Sequence, residues 1–171
     1  MTKALKLTIF FLAGGAVIIL AWVLLDWFIF SRAEPEVHLI PSGYAGPVVI
    51  AFDQENGTAK RYEDGKRVYE IPPSGVLRTQ FAPNSGTRQH WEFYYISGDG
   101  IRSAVPYDIF NFKDSPKEGS NTTGVFSIHM VSSPIDQTGK KEYFFTYVIG
   151  KIANAASLIK RQHEVRLNEV N

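Results

Sequence analysis

The chain has 171 residues, 44% of them hydrophobic, 20% charged and 13% aromatic, with a formal net charge of +1 and no cysteine. That much apolar content excludes a mainly disordered chain. The lack of cysteine excludes disulfides, thiolate metal sites, thiol nucleophiles and a lipid-modified N-terminal cysteine. From Ala33 onward 15 Lys and Arg stand against 16 Asp and Glu, so the basic excess that nucleic-acid binding demands is missing and no nucleic-acid partner is expected.

Met1–Lys6 carries Lys3 and Lys6, and Leu7–Phe30 follows as an apolar run interrupted only by Thr8, Gly14, Gly15 and Asp26. A bilayer core about 30 Å thick takes roughly 20 helical residues, which this run supplies. It is also longer than the apolar region of about 7–15 residues in a cleaved signal peptide. The spacing therefore predicts a retained transmembrane helix. With lysines before it and no basic excess after it, residues 1–6 are expected in the cytoplasm and the remainder outside. Asp26 lies beside Trp27 at the outer end, where a carboxylate reaches water, and Trp22 and Trp27 suit the headgroup layer. The expected localisation is the inner (cytoplasmic) membrane, single-pass, with the membrane itself as a partner.

Residues 31–36 read as a tether broken by Pro35, and residues 37–150 as one β-rich domain. Short β-type segments alternate with turn signals: Val37–Ile40, Val48–Phe52, Thr58–Tyr62, Arg67–Ile71, Val76–Phe81, Gln89–Ile96, Ile101–Val105, Val125–Val131 and Glu142–Ile149. Asp64-Gly65 is the strongest hairpin signature, and Pro41-Ser42-Gly43 a turn in which glycine takes positive φ. Asp114–Gly124 is a polar stretch expected to loop over the surface. With no helical period between the strands, the expected fold is mainly β: an antiparallel β-sandwich or barrel-like domain of about eight strands. Residues 151–171 change period. Ile152, Ala155, Ala156, Ile159, His163, Leu167 and Val170 mark one stripe of a C-terminal amphipathic helix, expected to fold back on the sheet after Gly150.

The run Leu39-Ile40-Pro41-Ser42-Gly43-Tyr44-Ala45-Gly46-Pro47-Val48 is followed by Tyr62–Pro72 and Gly75–Phe81. Together these stretches resemble an uncharacterised family of bacterial exported or membrane-anchored domains that open with Ile-Pro-x-Gly-Tyr-x-Gly. The resemblance implies a compact exported β domain and no particular chemistry.

Catalytic, cofactor and metal residues are not expected. His38, His90, His129 and His163 lie on separate elements without ligand spacing. Ser127 and His129 share a strand face, but no nucleophile elbow surrounds the serine. Gly98-Asp99-Gly100 lacks the other ligands of a calcium loop. The aromatic content of the second half is read mainly as core filling. Tyr94 and Phe144, opposed to their neighbours in period, are the rings expected to be exposed. The contact candidates are thus Tyr44, Tyr94, Phe144, Ile159 and His163. The expected function is a non-enzymatic binding or assembly module, an accessory component of a bacterial envelope complex with a protein partner. The alternative is a domain binding a small ligand, such as a cell-wall fragment or peptide, on an aromatic sheet face.

Overall fold

A computed structural model describes residues 14–15, 17–24, 33–84, 90–107, 121–134, 139 and 141–170. Two compact units divide the chain, one of 34–83 with 90–171 and the other of 1–33 with 84–89. In the second of these, residues 14–15 and 17–24 are helical. Most of the expected Leu7–Phe30 anchor, with Asp26 and Trp27, lies outside the described residues. Among the described residues no helix is long and apolar enough to cross a membrane. Most of the expected loop Asp114–Gly124 also lies outside them.

The larger unit is mainly β. Among the described residues nine strands run in order: β1 Glu36–Pro41, β2 Gly46–Ala51, β3 Tyr62–Glu63, β4 Lys66–Glu70, β5 Val76–Arg78, β6 Trp91–Ile96, β7 Arg102–Ala104, β8 Thr123–Ser132 and β9 Tyr143–Lys151. A 3-10 turn, Ile152–Asn154, leads into helix α1, Ala155–Val170. The turn signals act where expected. Tyr44 N–H donates to Pro41 O at 3.0 Å with Gly43 at φ +79°, a glycine-dependent reversal. Asp64 (φ 48°) and Gly65 (φ 74°) join β3 to β4 in a two-residue turn with both central residues at positive φ.

The pairing departs from the antiparallel expectation. Two mixed sheets form, ordered β3-β4-β1-β6-β7 and β5-β2-β9-β8. Strand β1 lies parallel to both β4 and β6, and β2 parallel to β5. Parallel neighbours need a crossover, usually a helix. Here the chain crosses between sheets instead: β1 in the first, β2 in the second, β3-β4 back in the first, β5 in the second, then β6-β7 and β8-β9. Each visit to the opposite sheet serves as the crossover, so parallel pairs arise without an intervening helix among the described residues. The sheets do not close into a barrel. Their inward residues form one core, including Ile40, Val48, Ile50, Tyr69, Phe93, Phe145 and Tyr147.

The first sheet is strongly coiled. Register places Glu63, Lys66, Val68, Val37, Leu39, Glu92, Tyr94 and Arg102 on the face turned away from the second sheet. Glu63 on one edge strand accepts two hydrogen bonds from Arg102 Nη2 on the other, at 2.8 and 3.0 Å. Five strands laid flat would put those edges about 19 Å apart, beyond the reach of the two side chains. Twist lifts diagonal corners of a sheet toward one face, and here it brings them within contact. Lys66–Glu92, Arg61–Glu63 and Arg61–Glu70 pairs complete a charged lattice over Val37, Leu39 and Val68, all buried.

Helix α1 folds back on the outer face of the second sheet, as expected; Ile152 and Ala155 of the expected stripe lie on the covered side, but beyond them the stripe shifts. Leu158 and Gln162 are buried and Ala155 and Val165 half-buried, whereas Ala156, Ile159 and His163 are exposed. Leu158 packs with Phe126, Val148 and Ile152, and Val165 with Val49, Ala51 and Phe144. The true stripe runs through a glutamine, which apolar periodicity passes over. Leu167 and Val170 lie beyond the described side chains. A Cβ on Gly150 would stand 2.7 Å from Leu158 Cδ1, so the helix packs close over the strand end there.

Candidate functional site

Among the described residues of the larger unit, polar or aromatic groups come together at several places. The first is the turn after β1. Tyr44 Oη donates to Pro47 O at 2.5 Å, and Tyr95 Oη donates to Tyr44 O at 2.9 Å. The phenol lies against Gly75 (φ +80°), where a Cβ would sit 2.0 Å from Oη and 2.6 Å from Pro47 O. Burial pushes the Tyr44 hydroxyl pKa up. Tyr44 thus acts as a structural clamp in which Gly43, Tyr44, Gly46-Pro47 and Gly75 form one unit.

The second is a sealed polar cluster between the sheets. Glu36 and His38 alternate along β1 with both side chains facing the core, 3% and 0% exposed. Tyr69 Oη donates to Glu36 Oε1 at 3.2 Å. His38 Nε2 stands 3.5 Å from Glu36 Oε2, an electrostatic approach longer than a good hydrogen bond. The imidazole stacks on Phe93 at 4.7 Å and meets the Tyr147 ring edge-on at 5.4 Å. Burial, then the nearby Glu36 charge, raises the Tyr69 pKa, and burial raises that of Tyr147.

The third is the seam between α1 and the second sheet. A cleft of about 120 Å³ is lined by Ser127, His129, Thr146, Ile159, Gln162 and His163. Ser127 sits at the β8 bulge with φ 52°, strained for a residue other than glycine. Gln162 Nε2 donates to Ser127 O at 2.9 Å and to Thr146 Oγ1 at 3.1 Å, which fixes the amide orientation. Ser127 Oγ then donates its one proton to Gln162 Oε1 at 2.8 Å. His129 Nε2, 3.1 Å from Ser127 Oγ, is left to approach as a donor. A general base would need the reverse polarity. The group ties a helix to a sheet.

The fourth is a cleft of about 450 Å³ lined by Trp91, Glu92, Phe93, Tyr94, Ala104, Val105, Pro106 and Tyr107. It opens where the chain leaves β7. Val105 N–H still donates to Phe93 O at 2.8 Å, but Pro106 O turns to accept from Val125 N–H at 2.9 Å and Tyr107 bridges Val125 in the other sheet. The wedge so made exposes the start of β6. Tyr107, 41% exposed, meets Trp91 edge-on at 6.3 Å and Phe93 at 5.7 Å. On the rim, Tyr94 Oη donates to Glu92 Oε2 at 3.1 Å, while Lys66 holds the Glu92 carboxyl below its ordinary pKa. Volume and aromatic lining match those of small-molecule and peptide sites.

The expected contact residues separate accordingly. Tyr94 lines the aromatic cleft. Ile159 and His163 are exposed together at the α1 seam. Phe144, expected to be exposed, is 1% exposed because α1 covers that face of the sheet. Trp91 and Phe93, read as core, also wall the cleft. Pro106 after the period-two run Ile101–Val105 was the signal that could have located it, since proline often marks where a ladder ends. Among the described residues no group of three or more His, Asp or Glu is placed to hold a metal ion.

Fold and cleft together define a two-sheet β domain with an aromatic edge cleft. The chain belongs to a family of unknown function (DUF6843), which matches residues 32–144. Among solved structures, a Bacillus anthracis chain described as a lipoprotein is similar at 13% identity, covering 69% of this chain and 70% of that one with a TM-score of 0.49. No curated protein matches.

Proposed function

We propose that this chain is a non-enzymatic binding module, anchored through Leu7–Phe30 in the cytoplasmic membrane, that displays its β domain outside the cytoplasm and takes a ligand in the cleft at Trp91, Tyr94 and Tyr107. The carrying observation is the cleft itself: about 450 Å³ with aromatic walls beside a polar Tyr94–Glu92 rim. The apolar run and its flanking lysines support the anchor and its orientation. The polarity of the Ser127–His129–Gln162 contacts supports a binding role over hydrolysis. Helix α1 is less suited to dock a partner, because its apolar side chains as far as Val165 already pack on the second sheet.

The test is ligand-detected NMR on the full-length protein in lipid nanodiscs, with a panel of short peptides and soluble peptidoglycan fragments. Signals from bound members should vanish with Tyr107→Ala and persist with Tyr143→Ala, which removes an exposed ring elsewhere. Binding indifferent to Tyr107, or none across the panel, would count against the cleft.

A further inference from the structure

Strand β6 ends its pairing with β7 early, and inside the cleft some of its backbone groups meet no strand partner among the described residues. Glu36 N–H donates to His90 O at 2.9 Å and Ser42 N–H to Ile96 O at 3.0 Å, so the even-numbered residues of β6 turn their backbone groups to β1. The alternation of a ladder then turns those of Trp91, Phe93 and Tyr95 to the opposite edge. There β7 pairs with Tyr94–Ile96, and the last bond is Val105 N–H to Phe93 O. Beyond it, the Trp91 N–H and C=O and the Phe93 N–H have no backbone partner among the described residues. The strand that would have met them, Pro106-Tyr107, has crossed to β8.

Unpaired strand-edge groups recognise one thing well, another extended backbone, and rings beside them receive its alternate side chains. Resting on the binding role proposed for the cleft, we infer that its ligand is an extended peptide segment of another protein, added as a strand to β6 at Trp91 and Phe93. The peptide continues the ladder that β7 abandons. Its backbone pairs with Trp91 and Phe93, and one apolar side chain enters the wedge between Trp91, Phe93 and Tyr107. The Glu92 carboxylate on the rim is already held by Lys66 and Tyr94, so apolar contact and main-chain bonds select the ligand more than charge does.

The probe is the tightest dodecapeptide selected from a random phage library, resynthesised and added to the full-length protein in nanodiscs. Residue-level hydrogen exchange should show the Trp91 and Phe93 amides exchanging freely without peptide and at least tenfold slower with it. Singly N-methylated versions of the peptide should alternate along its length: methyls at positions facing β6 lose at least tenfold in affinity, and methyls between them change it less than about threefold. Slow exchange at both amides in the peptide-free protein would overturn the inference, since the chain's own segment would then cover the edge. Peptide binding without protection, or without alternation, would also overturn it. If no peptide binds while a peptidoglycan fragment still binds in a Tyr107-dependent way, the peptide ligand is wrong and the cleft remains the site. If nothing binds, both fall.

Discussion

Gly75 shows how a single missing methyl holds the first turn together. The Tyr44 phenol occupies the space where a side chain at residue 75 would begin, and its hydroxyl reaches Pro47 O in the same gap. Gly75→Ala adds a steric clash to a positive-φ penalty, and should destabilise the domain by about 2 kcal/mol or more. At this size that lowers Tm by several degrees. Thermal melting reads it directly, and a wild-type Tm would remove Tyr44 as a clamp. Tyr44→Phe, which keeps the ring and loses one hydrogen bond, should cost only about 1 kcal/mol. The turn itself was legible in the sequence, because Pro41-Ser42-Gly43 carries its own conformational signature. What the tyrosine does was not, because Gly75 is remote along the chain and only the fold brings it to the ring. Glu36 and His38 were illegible for a similar reason: a polar residue at the start of a strand carries no local mark of burial, and it is the opposite sheet that encloses them.

Among the elements, α1 and the first sheet make contrasting predictions. Leu158→Asp should destabilise by a few kcal/mol, because it buries a charge against Phe126 and Val148. Ile159→Asp, one position away and exposed, should stay within about 0.5 kcal/mol of wild type. Equal melting of the two variants would contradict the docking described. The helix and its fold-back were legible from the period change after Gly150. The start of the stripe, Ile152 and Ala155, was assigned correctly and the rest was not, since the buried face continues through Leu158 and Gln162, whose amide makes three hydrogen bonds that a hydropathy pattern cannot show.

In the first sheet, the Arg102 guanidinium bonded to Glu63 holds that carboxyl below the usual value, with Arg61 adding to the effect. A carboxylate with a depressed folded pKa contributes stability above its unfolded pKa of about 4.3 and loses it as pH falls through the folded value. Stability supplied by the clasp should therefore be intact at neutral pH and fade below about pH 4. With Arg102→Gln that part of the acid dependence should shrink. A double-mutant cycle with Glu63→Gln should give a coupling of roughly 0.2–1 kcal/mol, as expected for a solvated pair. An unchanged acid limb together with zero coupling would show that the coil of the sheet does not need the clasp.

At the scale of the whole molecule, the number and order of strands were readable from turn residues and period-two runs, which are local. The parallel pairing was not, because it follows from the chain visiting the two sheets alternately, and no local pattern records which sheet a strand joins. The aromatic cleft was half legible. Its rings stood out as an excess, but the rings that wall it were assigned to the core, and both descriptions hold for Trp91 and Phe93. The proposed membrane arrangement rests on Lys3, Lys6 and the apolar run after them. A reporter active only after export, fused after Asn171, should be active, and activity of a cytoplasm-only reporter there would reverse the orientation. The claim on which the functional reading depends is that ligand enters at the wedge between β6 and Tyr107. Its most direct measurement is the ligand dissociation constant of the full-length protein beside those of Tyr107→Ala and Tyr143→Ala. A ring anchoring the ligand should cost at least about tenfold, near 1.4 kcal/mol, when it is removed. The account predicts that loss for Tyr107→Ala and a change under about twofold for Tyr143→Ala; equal affinities for all three proteins would contradict it.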